Sequence, residues 1–98
     1  MLHIVNKSPL QNSTLASCLS VAAPGAILLI EDAVTAATAG GATEAMLREA
    51  MARHQMYALQ PDLDACGLGD RLMAGVTAVD FGGFVDLVAN NKNCQSWL

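Results

Sequence analysis

The run Ala26-Ile27-Leu28-Leu29-Ile30 constrains the fold of this chain more than any other feature, because five apolar residues follow one another without a polar residue between them. A strand with one wet face alternates apolar and polar side chains. An unbroken run closed by Glu31-Asp32 instead predicts a strand buried on both faces, as in a parallel sheet covered by helices. Three further short runs join it: Leu2-His3-Ile4-Val5, Gln55-Met56-Tyr57-Ala58-Leu59 and Val76-Thr77-Ala78-Val79. Helical patterning fills most of the intervals. Asn12 or Ser13 can cap a helix that carries Leu15, Leu19 and Ala22 on one face and ends before Pro24-Gly25. Thr43 opens a second helix that ends near His54, residues 62–66 fit a short helix stopped by Gly67 and Gly69, and Asp80 starts a last helix with Phe84, Leu87 and Val88 on one face. Residues 33–41, rich in Ala, Thr and Gly, are ambiguous and fit one or two helical turns followed by a loop at Gly40-Gly41. Residues 70–73 read as a short turn or helix, and Gln95-Ser96-Trp97-Leu98 as a short strand or a packed tail. Strands alternating with helices over residues 1–98 predict one α/β domain with a small, mainly parallel sheet of four to five strands.

Only 14% of the residues are charged and 53% are hydrophobic, whereas ordinary soluble domains carry about a quarter charged residues. So little charge does not cover a small surface, which predicts that part of the apolar excess lies in a subunit interface. The net charge is −4, and Lys7, Arg48, Arg53, Arg71 and Lys92 are scattered, so no basic patch forms and direct binding of nucleic acid is not expected. No segment reaches the roughly twenty apolar residues of a membrane span. The apolar start meets Asn6, Lys7 and Pro9 before a signal-peptide core is complete, so a cytoplasmic location is expected.

Cys18, Cys66 and Cys94 are widely spaced, with no CxxC, and read as reduced thiols. Neither His3 nor His54 stands at ligand spacing from a cysteine, so no metal is expected. No GxGxxG or GxxxxGK[ST] loop follows the first strand and no GxSxG elbow occurs, so no nucleotide cofactor is expected either. Parallel sheets bind ligands beyond the carboxyl ends of their strands, which directs attention to residues 6–9, 31–34, 60–62 and 80–83. Polar residues gather there, but Glu31-Asp32 fits a solvated helix start and Gly82-Gly83 a turn or close-packing site. His3 is expected to be satisfied within its strand, His54 to be exposed at a helix end, Tyr57 to pack, and Trp97 to pack or anchor an interface. On a helix starting at Ser13, residues 15, 18, 19 and 22 share a face, so Cys18 fits a buried apolar thiol as well as a reactive one. It lies beyond the first turn and has no neighbouring base. Cys66, at a helix end, and Cys94, in the tail, are weaker candidates, and Cys94 is oxidation-prone where exposed.

Taken in order, "LHIVNKSP" at residues 2–9, "ILLIEDAVTAA" at 27–37, "MYALQPDLDACGL" at 56–68, "VTAVDFGGFVDLV" at 76–88 and the terminal "SWL" resemble the DsrH/TusB family of small sulfur-relay subunits over essentially the whole chain. One departure is Ala33, where that family more often has Gly after the acid. The resemblance implies a three-layer α/β sandwich like that of DsrE/TusD and DsrF/TusC, and assembly with those two subunits into a heterohexamer holding two copies of each chain. It also implies a sulfur acceptor of the DsrC/TusE type and an architectural, docking role, since the main sulfur-carrying cysteine of the family belongs to the DsrE/TusD-type partner. In the DsrH-like branch a cysteine occurs in the first helix, where Cys18 stands, and this favours dissimilatory sulfur oxidation. The alternative is the TusB-like branch, which serves 2-thiouridine formation on tRNA and typically lacks that cysteine. A carrier role would have the Cys18 thiolate attack a donor persulfide, hold the outer sulfur as Cys-S-SH and yield it to an acceptor thiol. A homo-oligomeric binding module without sulfur chemistry is the reading from a different class.

Overall fold

The apolar run becomes β2 (Gly25–Leu29), the middle strand of a five-stranded sheet in the computed structural model, which describes residues 2–6, 25–40, 43–91 and 93–97. Around it lie β1 (Leu2–Val5), β3 (His54–Leu59), β4 (Val76–Val79) and β5 (Cys94–Trp97), in the order β4-β3-β2-β1-β5 with every neighbouring pair parallel. The first helix expected from the sequence, with Cys18, and the loop Lys7-Ser8-Pro9 fall outside the described residues, as does the side chain of Trp97.

Both faces of β2 are buried, as the missing alternation predicts. Ile27 and Leu29 enter one core with Val5, Met56, Ala58 and Val76, while Ala26 and Leu28 join Leu2 on the opposite face. Ile27, Leu28 and Leu29 have no exposed surface, so each contributes about 1.5–3 kcal/mol of burial. On the first face lie a 3-10 helix (Glu31–Ala37), α1 (Glu44–Ala50) and α2 (Gln60–Ala65), which insert Val34, Leu47 and Leu63 into that core. On the second face α3 (Phe81–Asn90) packs Phe84 and Leu87 against Leu2, Ala26 and Leu28. The result is a three-layer α/β sandwich. The tail strand is settled as β5, which pairs with β1 and whose register sets Leu2 opposite Cys94.

The ambiguous segment after β2 is a seven-residue 3-10 helix, longer than such helices usually run. Its sequence explains the choice. In Ala33-Val34-Thr35-Ala36-Ala37-Thr38 two small residues precede each threonine, and a helix of three residues per turn buries both pairs while leaving the threonines at the boundary. The hydroxyls then donate back three residues, Thr35 Oγ1 to the Asp32 carbonyl at 2.8 Å and Thr38 Oγ1 to the Thr35 carbonyl at 3.0 Å. The segment beyond α2 closes onto the end of this helix. Met73 N–H donates to the Ala37 carbonyl at 2.8 Å, and Ala39 N–H to the Arg71 carbonyl at 2.7 Å.

Three expectations need correction or refinement. His54 is not an exposed helix terminus: it opens β3 pointing inward, 5% exposed, because inward positions alternate through Met56 and Ala58. Val88 leaves the buried face of α3 and is 38% exposed, since only Phe84 and Leu87, one turn apart, reach the sheet. Gly82 and Gly83 do not form a turn but sit in the first turn of α3. There a Cβ on Gly83 would lie 2.9 Å from the Val79 Cβ, which makes Gly83 a close-packing site.

Candidate functional site

At the carboxyl edge of the sheet, α2 leaves β3 toward one face and α3 leaves β4 toward the other, as shown by the packing of Leu63 with Met56 and of Phe84 with Val79. Adjacent strands whose connections part in this way open the crevice where parallel sheets place their ligands. The side chains that line this edge come from the ends of β2, β3 and β4.

Glu31 follows β2 with φ at 50°, left-handed for a non-glycine residue. Its N–H donates to Asp62 Oδ2 at 2.7 Å, so a carboxylate from the start of α2 holds the strained junction in place. Next to it Gln60 Nε2 donates to Asp64 Oδ1 at 2.8 Å. At the end of β4, Asp80 caps α3 by accepting the Gly83 N–H at 2.7 Å, the role expected of a short acidic side chain at a helix start. Asp32, exposed in the first turn of the 3-10 helix, adds another negative charge where carboxylates favour the helix dipole. The polar residues singled out at 31–34, 60–62 and 80–83 are thus brought to one edge, where Asp62 and Asp80 act as locks on backbone N–H groups.

Residues 30–34, 60–65 and 80–83 contain no Lys, Arg, His or Cys. Among the described residues, the ends of β2, β3 and β4 bring Glu31, Asp32, Asp62 and Asp80 together without a cation, which opposes formation of a thiolate or approach of a persulfide anion there. The two described cysteines are elsewhere. Cys66 is exposed at the far end of α2, and Cys94 is exposed where β5 begins, at the amino edge of the sheet. Neither shares the carboxyl edge, and Cys18 is outside the described residues. Half-buried Asn6, just past β1, keeps its Oδ1 buried without a hydrogen-bond partner, an uncommitted acceptor at the same end of the sheet.

A second concavity, about 690 Å³ and open, lies at the amino edge between the start of β3 and the end of α3, lined by Gly25, Arg53, His54, Tyr57, Leu87 and Asn90. Neither ring nitrogen of His54 has a hydrogen-bond partner. Burial, then the Arg53 guanidinium, then His3 on β1, push the His54 pKa below its ordinary value, so the ring is neutral at pH 7. Tyr57 hydroxyl donates to Gln55 Oε1 at 3.3 Å. No group of three or more His, Cys, Asp or Glu side chains able to hold a metal occurs among the described residues. No helix among them is long and apolar enough to cross a membrane.

Against known families, residues 7–94 match the model described as "DsrH like protein". The chain belongs to the DsrH-like family. "Protein TusB" of Serratia proteamaculans (strain 568) is 34% identical over 97 residues, covering 99% of this chain and all of that protein. "Protein TusB" of Escherichia coli O81 (strain ED1a) is 32% identical with the same coverage, and that of Salmonella dublin is 39% identical over 72 residues, 74% of each chain. The crystal structure of the ychN protein from E. coli superposes with a TM-score of 0.80 over 97% of both chains at 18% identity, a likeness of fold. Within the DsrH-like family, relatives named TusB favour the TusB-like alternative over the oxidation branch that Cys18 suggested in the sequence.

Proposed function

We propose that this chain is a TusB-like subunit of a sulfur-relay assembly that serves 2-thiouridine formation on tRNA, working as an architectural and docking component alongside TusC-like and TusD-like subunits and a TusE-like acceptor. Full-length similarity to proteins named TusB is the observation that carries this reading. The carboxyl edge supports it chemically. Asp62 and Asp80 there hold the chain's own backbone, and neither described thiol, Cys66 or Cys94, lies among them, which suits docking of a partner that brings its own cysteine.

Cys18 matches the cysteine position of the DsrH-like branch, and this keeps a second reading in play: a subunit that carries persulfide sulfur in sulfur oxidation. One experiment separates the two. Deleting the gene in its host should lower 2-thiouridine in bulk tRNA, measured by liquid chromatography and mass spectrometry of nucleosides, at least several-fold. Expression of a Cys18→Ser chain should restore it. Unchanged 2-thiouridine together with lost oxidation of reduced sulfur would transfer the protein to the other branch, and failure of Cys18→Ser to restore the modification would make Cys18 a carrier.

A further inference from the structure

α3 has one charged residue, Asp86, among its ten. Its inner side is occupied, since Phe84 and Leu87 pack on the sheet. The outer side is apolar as well: Phe81 is 64% exposed, Val85 63% and Val88 38%. Spacings of four and three residues align these three side chains in one stripe, with Gly82 and Ala89 exposed beside it. A helix that is apolar all round is a helix with both faces covered. Among the described residues, only the inner face of α3 is.

Charge indicates what covers the other. Asp80 sits at one end of the stripe and Asp86 on its flank, and α3 contains no Lys or Arg. A second copy of this chain would bring the same acids and another net charge of −4 to the contact. A partner helix that is apolar with Lys or Arg at its margins satisfies both the stripe and the acids. Gly82 and Ala89 leave room for two helices to approach at about 8–10 Å. The stripe runs along only about 10 Å of helix, and three side chains over that length cover far less than the roughly 800 Å² per partner that a stable interface needs. The contact therefore extends beyond these three side chains, which suits a folded subunit and not a short peptide.

We infer that the outer face of α3, centred on Phe81, Val85 and Val88, is the surface by which this chain joins a different α/β subunit, through helix-on-helix packing against an apolar helix with basic margins. The inference rests on the hetero-oligomeric role proposed above and names the face that performs it.

The test is co-expression with the TusC-like and TusD-like subunits of the same organism, read by native mass spectrometry. Phe81→Ser/Val85→Ser lowers the fraction of complexes containing this chain at least tenfold, while the isolated variant unfolds at the wild-type temperature, because both side chains are already exposed. A Val85→Cys chain gives a measurement independent of that variant: maleimide labels its peptide readily in the isolated chain and at least tenfold more slowly in the complex. If the double variant assembles like wild type and labelling is unchanged, the inference is overturned and the relay role stands. A wild-type chain that never enters the complex overturns both. A homodimer that the double variant abolishes overturns the choice of partner.

Discussion

At the scale of single residues, His54 ties the fold to pH. Its imidazole is held neutral by burial, by the Arg53 guanidinium and by His3, so its pKa in the fold lies below the ordinary 6.5. In the unfolded chain the same ring protonates near that value. Between the two, the unfolded state binds more protons, so stability is complete above about pH 6.5 and falls as the pH drops toward the depressed value. Urea midpoints at pH 7.5 and 5.5 should show this loss, and His54→Leu should shrink the difference between them; an undiminished difference in the variant would remove His54 as its source. The inward placement was legible in the sequence only through the alternation His54, Met56, Ala58. Reading the histidine as the end of the preceding helix hid it, because helix ends and strand starts are blurred by a residue or two. Cys66 stands at its expected helix end, whereas Cys94, read as part of the tail, opens β5; the separation of both from the carboxyl edge depended on which way α2 and β5 run, and spacing along a sequence carries no such direction.

At the scale of elements, two junctions store opposing preferences. Glu31 pays for its left-handed backbone and is held there by Asp62. Glu31→Gly keeps the N–H and removes the steric conflict, so it should stabilise the fold by about 1 kcal/mol. Asp62→Ala leaves the same N–H without its acceptor and should cost about 1–2 kcal/mol. Chemical denaturation of both variants checks the pair, and loss of stability in Glu31→Gly would show that the carboxylate side chain matters more than the backbone. In α3 the two glycines should separate cleanly. Gly83→Ala drives a Cβ against Val79 and should destabilise by about 1–3 kcal/mol. Gly82→Ala meets only Asp80 Oδ1, at 3.3 Å, and gains helix propensity, so its melting temperature should lie well above that of Gly83→Ala. The strands and α3 were legible because their periods are the familiar ones. The 3-10 helix was not, since its repeat of three falls between the strand and α-helix patterns; the triplets Ala-Val-Thr and Ala-Ala-Thr were the signal.

At the scale of the whole molecule, the parallel architecture followed from one apolar run, because backbone polarity leaves few ways to bury five consecutive apolar residues. The charge-poor composition pointed to an interface without saying where; exposed Phe81 and Val85 mark the face proposed for it above. The order β4-β3-β2-β1-β5 has a further consequence, for the time course of synthesis. β1 (Leu2–Val5) leaves the ribosome well before its second neighbour, β5 (Cys94–Trp97). At about 5–20 residues per second, the outer edge of β1 spends several seconds open, and closing so long a loop costs about 4 kcal/mol of chain entropy. An open strand edge invites pairing with other nascent chains. Residues Cys94–Trp97 therefore act as a latch, and until they arrive the outer edge of β1 stays open to a wrong neighbour.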